Sequence, residues 1–153
     1  PLYRVRTICL VRRGDAVDFS SLEDLKKLGP ERGRVLSVWG TGIASILRNT
    51  PGLAVDDSAK TVEDAIHKLH IGRGRVLIYH NLSLVYAAKK GQYEGKIRAV
   101  DIDYGKNPLL TDSYQYVAFS KRSDPAVRKI VNDAVRAARA EGELDRITSK
   151  YLR

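Results

Sequence analysis

The segment Ser37–Leu47, SVWGTGIASIL, holds the residue types and spacing that best suit ligand chemistry. A short apolar run ends in Gly40, Thr41 and Gly42, and a helical pattern follows. Such a turn points the first N–H groups of a helix, with its positive dipole end, beyond the strand. The segment predicts a site for an anion such as a carboxylate, with the Thr41 hydroxyl as a further donor. The alternative is that the glycines serve only the turn and that Thr41 only caps the helix.

The spacing of these glycines argues against nucleotide sites and a catalytic elbow. A phosphate loop needs GxxxxGK[ST], which the chain lacks. A dinucleotide fingerprint needs GxGxxG, and Ser45 stands where the third glycine would allow close packing of helix and strand. The nucleophile elbow GxSxG is also missing. The sequence therefore predicts no cofactor.

A second group of residues has the right types for a metal ion. Glu63, His67 and His70 lie at i, i+4 and i+7, which places them on one face of a predicted helix. Two histidines and a carboxylate are compatible with zinc, but no fourth ligand follows from the sequence. A solvated helix face is the simpler interpretation, so no metal site is predicted.

Two further pairs of residues have the side-chain types of catalytic groups. His80 with Ser83 has the elements of an activated nucleophile, but no orienting acid is placed near them in sequence. Asp101 and Asp103 alternate on or after a strand and share a face, which suits either an acid/base pair or a solvated edge. The solvated edge is favoured, and no catalytic residue is predicted.

The composition favours one domain without a transmembrane helix. The chain has 153 residues, 43% of them hydrophobic, and no run reaches the ~18 apolar residues of a membrane span. The net charge is +9, but the basic residues are scattered, which favours solvated faces over a nucleic-acid surface. Cys9 is the single cysteine and is predicted to be buried. The start at Pro1, with no signal-peptide pattern, favours a mature product or an excised part of a longer chain.

Short strands alternate with helices, which predicts an α/β fold with a parallel sheet and right-handed crossovers. Ser20 with Glu23 and Thr61 with Asp64 have the spacing of capping boxes, and Asn81 is predicted to cap the helix that it begins. The predicted strands are Thr7–Val11, Arg34–Val38, Leu53–Val55, Arg75–Tyr79, 96–102 and Tyr114–Ser120.

The end of the chain changes character. Asp124 and Pro125 are predicted to start a long helix as N-cap and first helical residue, and Gly142 separates it from a short last one. The long helix carries an apolar stripe, which consists of Val127, Ile130, Val131, Ala134, Val135 and Ala138.

Six segments occur in one order: LVRRGD, SSLEDLKKL, RVLSVWGTGIASIL, TVEDAIHKLHIGRGRVLIYHN, YQYVAFSKRSDPAVRKIVNDAV and AEGELDRITSKYL. Together they resemble the extracytoplasmic solute-binding proteins of amino-acid ABC transporters, called solute-binding family 3. Each segment alone is weakly specific, but the six cover nearly the whole chain. The start Pro1-Leu2-Tyr3 is also similar to the P-Y entry into the crossover strand of that family.

The resemblance implies the type II periplasmic-binding-protein fold, in which two α/β lobes are joined by two crossover strands and hold ligand between them. Residues 1–119 would form lobe 2 with its flanking crossover strands. Residues 120–153 would be C-terminal helices that normally pack on lobe 1. The N-terminal part of lobe 1, with the arginine that pairs with the ligand carboxylate in that family, would be missing. Tyr3 and Tyr116 would flank the hinge.

Two departures from the family pattern bear on the ligand. The Asp that binds the ligand amino group in the family falls at Tyr79, and the acidic position of its G-r-v-D-a motif is Arg75. The resemblance then implies a solute with a negative end, contacted by Tyr79, His80 and Asn81 through hydrogen bonds or stacking. Trp39 either stacks on a ligand ring or packs within the protein.

The predicted function is that of a binding module and not an enzyme. It binds a small polar solute, anionic or amino-acid-like, in the periplasm or another extracytoplasmic space and delivers it to an ABC permease. Two alternatives share the fold: the sensing domain of a membrane receptor, and a dehydratase-like enzyme with an acid/base pair in the cleft. The predicted ligand-binding residues are Trp39, Gly40, Thr41, Gly42, Tyr79, His80 and Asn81.

Two expectations follow from the missing part of lobe 1. The apolar stripe of the long helix should be covered by a second copy of the chain, by swapping, or by folding back onto lobe 2, because such a patch is costly in water. Solute binding by this chain should also be weak, since half of the cleft is absent.

Overall fold

A six-stranded sheet forms the centre of the computed structural model, which describes residues 2–107 and 110–152. Five strands lie in the order β3-β2-β4-β1-β5, and β6 pairs with the start of β1. The strands are β1 Arg4–Arg12, β2 Val35–Val38, β3 Val55–Ala59, β4 Val76–His80, β5 Ile97–Val100 and β6 Asp112–Tyr114.

The sheet is mixed, so the predicted parallel arrangement is wrong for β1. Strand β2 is parallel to β3 and β4, whereas β1 is antiparallel to β4, β5 and β6. Strand β1 ends at the edge where β2 and β4 begin, and the segment 13–34 leaves from and returns to that edge. Such a connection reverses the strand direction without a crossover, and the alternation of strands and helices alone does not reveal it.

Helices cover both faces of the sheet. The helices are α1 Leu22–Lys27, α2 Gly29–Arg32, α3 Gly42–Arg48, α4 Val62–His70, α5 Asn81–Lys90, α6 Pro125–Ala140 and α7 Glu143–Leu152. Strand residues alternate between the faces. Leu36 and Leu77 pack with α4 and α5, whereas Val35 and Ile78 pack with α1 and α3. Cys9 belongs to the second layer and is fully buried, as predicted, and burial raises the pKa of its thiol.

The helix starts follow the capping residues, with two shifts from prediction. Thr61 caps α4 by accepting the Asp64 N–H, as predicted. The cap of α1 is Ser21, one residue later than predicted, because its Oγ accepts the Asp24 N–H at 3.1 Å. Helix α5 begins at Asn81 with His80 in the cap position, so the predicted cap at Asn81 is wrong.

Two strands share only one residue with their predicted limits. Strand β3 runs over Val55–Ala59, later than the predicted Leu53–Val55. Strand β6 runs over Asp112–Tyr114, whereas a strand was predicted over Tyr114–Ser120. One further step of pairing joins Gln115 to the segment 2–3 through two backbone hydrogen bonds. Beyond that step no described segment lies opposite residues 116–120, so they form no strand.

The C-terminal helices lie outside the two core layers. Asp124 caps α6 by accepting the Ala126 N–H at 2.7 Å, and Pro125 is the first helical residue, both as predicted. Helix α7 packs against α5 and against α6. No side chain of α6 is buried, and Ile130 in its apolar stripe is 67% exposed. Among the described residues, no helix combines the length and apolar character that a membrane crossing requires.

Candidate functional site

The loop after β2 has the geometry that its glycines predict. Gly40 takes a positive φ of 73°, which allows the turn between strand and helix. A Cβ added at Gly40 or at Gly42 would meet no atom within 4 Å, so the loop faces open space. Trp39 lies beside this loop and is 66% exposed. The Trp39 backbone N–H donates to the Ala59 carbonyl at the end of the neighbouring strand. Trp39 therefore packs little within the described residues.

The Thr41 hydroxyl is already used within this loop. It donates to the Val38 carbonyl at 2.7 Å and accepts the Ala44 N–H at 3.3 Å, so Thr41 is the N-cap of α3. The first intrahelical bond is donated by Ser45 to the Thr41 carbonyl. The Gly42 and Ile43 amides precede that bond and have no partner of the intrahelical kind. The capping alternative is therefore correct for the hydroxyl, and the amides are the donors left for an anion.

Strand β4 brings Tyr79 and His80 to the same edge of the sheet. Both side chains are half-buried, and their ring centroids lie 5.2 Å apart. Burial raises the pKa of the Tyr79 hydroxyl and lowers the pKa of His80, which favours a neutral imidazole. The Nδ1 atom of His80 is buried and has no hydrogen-bond partner among the described residues.

Asn81 connects this edge to β1. Its Oδ1 accepts the Arg6 backbone N–H at 3.1 Å, so the amide group holds the start of α5 against the first strand. This bond leaves the Asn81 side-chain NH₂ as the group with donors to offer a ligand.

Parallel pairing explains why the two loops meet at one edge. Val35 and Leu36 of β2 lie opposite Val76 and Leu77 of β4, so the carboxyl ends of both strands reach the same side of the sheet. Ligands of open α/β sheets bind outside such strand ends. The structure therefore brings the seven predicted ligand-binding residues to one edge.

Thr7 and Lys60 also lie at this edge, and the sequence interpretation missed both. Thr7 is the register partner of His80, and its hydroxyl is buried without a hydrogen-bond partner among the described residues. Only the antiparallel position of β1, which was not predicted, places it there. Lys60 follows the end of β3 and is exposed. The signal for Lys60 was its place directly after a strand parallel to β2.

The predicted hinge residues lie on adjoining segments. The Gln115 N–H donates to the Tyr3 carbonyl at 2.9 Å, which places Tyr116 one residue from this pairing. Tyr3 is partly buried, and Tyr116 is 64% exposed. The structure thus joins the entry and exit segments of the sheet, and the hinge role of Tyr3 and Tyr116 stays a prediction.

The metal alternative finds no support in the arrangement of its residues. His67 Nδ1 lies 3.0 Å from the Tyr93 hydroxyl, and the His70 ring meets the Tyr93 ring edge-on at 5.4 Å. Glu63 lies 3.8 Å from the Lys90 Nζ. Within residues 2–107 and 110–152, no three His, Cys, Asp or Glu side chains are grouped as metal ligands.

The catalytic alternatives are also accounted for by local structure. Asp103 Oδ1 accepts the Gly105 N–H at 2.7 Å, which is a turn contact. Asp101 is exposed at the end of β5. No carboxylate of the described residues hydrogen-bonds the His80 ring, so the orienting acid of a His–Ser pair is not found there.

Comparison with solved structures identifies the fold. An amino acid ABC transporter substrate-binding protein from Streptococcus pneumoniae, bound to L-arginine, aligns with 99% of the chain at a TM-score of 0.78 and 18% identity. The GluR0 ligand-binding core from Nostoc punctiforme, in complex with L-glutamate, aligns with 99% of the chain at a TM-score of 0.73 and 21% identity. An ancestral amino-acid-binding protein described as a precursor of cyclohexadienyl dehydratase aligns with 100% of the chain at a TM-score of 0.70 and 18% identity.

These likenesses confirm the predicted periplasmic-binding-protein fold. The chain spans 59% to 62% of the length of these three structures, so each has a further part that has no counterpart here. No protein-family model matches the chain, and no curated protein matches its sequence.

Proposed function

We propose that this chain is the larger part of an extracytoplasmic solute-binding protein that delivers a small polar solute to an ABC importer in the membrane. The observation that carries the proposal is the open edge where β2 and β4 end, with Trp39 and Gly40 on one loop and His80 on the other. Solved amino-acid-binding proteins with this fold support the solute-binding role.

The length of these structures supports a second lobe opposite this edge. They extend well beyond the 59% to 62% that the chain spans, and a cleft between two lobes needs a second wall. In this proposal, residues 1–119 form one lobe with its crossover strands. Helix α7 packs on α5 of this lobe, and α6 packs on the other lobe. The exposed apolar stripe of α6, which includes Val127 and Ile130, is the surface that this lobe would cover.

The ligand in this proposal has a negative end. The free amides of Gly42 and Ile43 and the ammonium of Lys60 would bind a carboxylate or a similar group. Neutral His80, Tyr79 and the Asn81 side-chain amide would contact the rest of the solute through hydrogen bonds or stacking. The loops 39–42 and 79–81 contain no acidic residue, so neither loop offers a carboxylate to an ammonium group.

A binding assay with matched histidine variants tests this proposal. Isothermal titration calorimetry with dicarboxylates and amino acids should show weak binding to this chain, with affinity highest for solutes that carry an anionic group. His80→Ala should weaken that binding by about tenfold, since a hydrogen bond to a buried polar group is lost. His70→Ala, an exposed histidine on α4, should leave it unchanged.

Two results would contradict the proposal. Equal losses in the two variants would remove His80 from the site. Nanomolar binding of an ordinary amino acid to this chain would show that the second lobe is not needed. Turnover of a dehydratase substrate by this chain would instead favour the enzyme alternative.

A further inference from the structure

A second concave site lies at the opposite edge of the sheet, where β1 ends and β2 and β4 begin. It is a cavity of about 530 Å³, a size typical of pockets for small organic molecules. Five arginines line it: Arg12, Arg32, Arg34, Arg73 and Arg75. Since β4 separates the two edges by roughly 17 Å at ~3.3 Å per residue, this cavity is distinct from the proposed solute site.

Two of these arginines build the wall of the cavity. The Arg12 guanidinium pairs with Asp15 at 2.7 Å and donates from Nη1 to the Leu69 and Gly74 carbonyls at 2.9 and 3.0 Å. Arg75 pairs with Asp18 at 2.9 Å. Its Nε is buried without a hydrogen-bond partner among the described residues. These contacts fix the wall before any ligand arrives.

The loop that carries Arg73 is held in place on both sides. The Arg73 N–H donates to the Lys68 carbonyl at 2.9 Å, which ties the loop to the end of α4. A Cβ added at Gly74 would come within 2.4 Å of Leu36 Cγ, so the loop lies directly on β2. The backbone of Arg34 is held as well, because its carbonyl accepts the Arg75 N–H at 2.8 Å.

Arg34 and Arg73 carry the uncompensated charge of the cavity. Neither guanidinium has a hydrogen bond or an ion pair with another described residue. The two carboxylates on the lining do not neutralise them. Asp56 is engaged by Lys68 at 3.1 Å and by Ser58, and Glu31 is exposed on α2.

We propose that this cavity binds a soluble compound through a phosphate or diphosphate group, with Arg34 and Arg73 as its principal contacts. A planar guanidinium binds phosphate through two parallel hydrogen bonds. Arginine therefore binds phosphate with a more specific geometry than the point charge of a lysine ammonium group. Two such groups on fixed backbone, in a recess of this volume, suit a multivalent oxyanion. The exposed carboxylate of Glu31 would be repelled by an anionic membrane surface. A soluble compound is therefore favoured over a lipid headgroup.

Titration with inorganic pyrophosphate tests this inference. Isothermal calorimetry at low and at physiological ionic strength should show saturable binding with one site per chain. Arg34→Gln and Arg73→Gln should each weaken it by about tenfold, as expected for the loss of a charged hydrogen-bond pair. Arg139→Gln, which removes the same charge from an exposed position on α6, should change it less than about twofold. Glu31→Gln should strengthen it.

Unfolding curves of each variant establish that the fold is retained. Vesicles containing phosphatidylglycerol provide the second arm, and pyrophosphate should not be displaced by them. The inference is overturned if pyrophosphate does not saturate, if Arg139→Gln weakens binding as much as Arg34→Gln, or if only vesicles are bound. None of these results bears on the solute site, which is tested by the His80 variant.

Discussion

The sheet with its covering helices and the C-terminal helix pair show opposite kinds of packing. In the first region, side chains such as Leu36, Leu69 and Leu77 are fully buried between strands and helices. In the second region, α6 buries no side chain, and Val127 and Ile130 are 51% and 67% exposed. Both regions contain amphipathic helices, so amphipathic sequence alone does not explain the difference.

The comparison of α4 with α6 shows what an apolar stripe does and does not specify. Helix α4 buries Ala65, Ile66 and Leu69 against β2 and its neighbours. Helix α6 has a longer stripe and no such surface in the described chain. The apolar stripe of an amphipathic helix indicates that the helix packs against another surface. Only the tertiary structure shows whether that surface belongs to the same part of the chain. The free energy of unfolding should therefore come mainly from the sheet region.

The largest expected effect distinguishes the two regions by core deletion. Leu77→Ala should lower the free energy of unfolding by about 2 to 5 kcal/mol, because it removes a fully buried side chain and leaves a cavity. Ile130→Ala, at an exposed position of α6, should change it by less than about 0.5 kcal/mol. Urea unfolding followed by circular dichroism measures both values. Similar losses in the two variants would show that α6 is packed in solution.

An intermediate effect is expected from the pH dependence of stability. Burial raises the pKa of Asp56, but hydrogen bonds from Ser58 and Lys68 outweigh it and lower the pKa to about 2. Because the pKa is lower in the folded state, the stabilisation is complete above the unfolded value of 3.8 and is lost as pH falls towards 2. Asp56→Asn should lower the free energy of unfolding by roughly 1 to 2 kcal/mol at neutral pH. It should also reduce the loss of stability at acid pH, which is the acid limb of the plot of unfolding free energy against pH.

The matched variant for this prediction is Asp133→Asn on α6. Hydrogen bonds from Lys129 and Arg136 lower the pKa of Asp133, but its carboxylate is exposed and solvent screens these interactions. Its substitution should leave the acid limb of the unfolding curve nearly unchanged. An acid limb flattened as much by Asp133→Asn as by Asp56→Asn would remove the distinction between the regions.

The smallest effect on stability is expected from polar substitutions in the α6 stripe. Val127→Ser with Ile130→Ser should change the free energy of unfolding by less than about 0.5 kcal/mol. The same variant should reduce self-association, because a second copy of the chain, directly or by swapping, is one of the predicted covers of this apolar stripe. Sedimentation velocity over a range of concentrations measures this. A wild-type chain that stays monomeric at all concentrations contradicts the prediction of a homodimer or swapped oligomer.

Local signals along the chain predict the helices well. Thr61 and Asp124 begin their helices as expected, because a cap satisfies N–H groups only a few residues away. The cap of α1 shifts by one residue because Ser20 and Ser21 are chemically equivalent candidates. The last strand was predicted too late in the chain because the apolar residues in Tyr114–Ser120 suit a strand only where another strand lies opposite.

The sequence predicted the loop residues of the candidate site but not the buried strand residue Thr7 beside them. Gly40 and His80 each follow or end a recognisable strand, so the sequence places them at strand ends. Thr7 joins His80 only through the antiparallel register of β1, a contact between residues far apart in the chain. The arginine cavity is of the same kind, since Arg34 and Arg73 meet only where two parallel strands begin side by side.

The sequence by itself determined the helix caps, the glycine turn after β2, the burial of Cys9 and the ordered segments that imply the fold. The caps and the turn depend on neighbours within a few residues, whereas the other two features follow from the apolar pattern and the order of elements along the chain. The tertiary structure decided the direction of β1, the position of Thr7 beside His80 and the exposure of α6. Each of these depends on which distant segment supplies a hydrogen-bond partner or an apolar surface, and local sequence does not specify that partner.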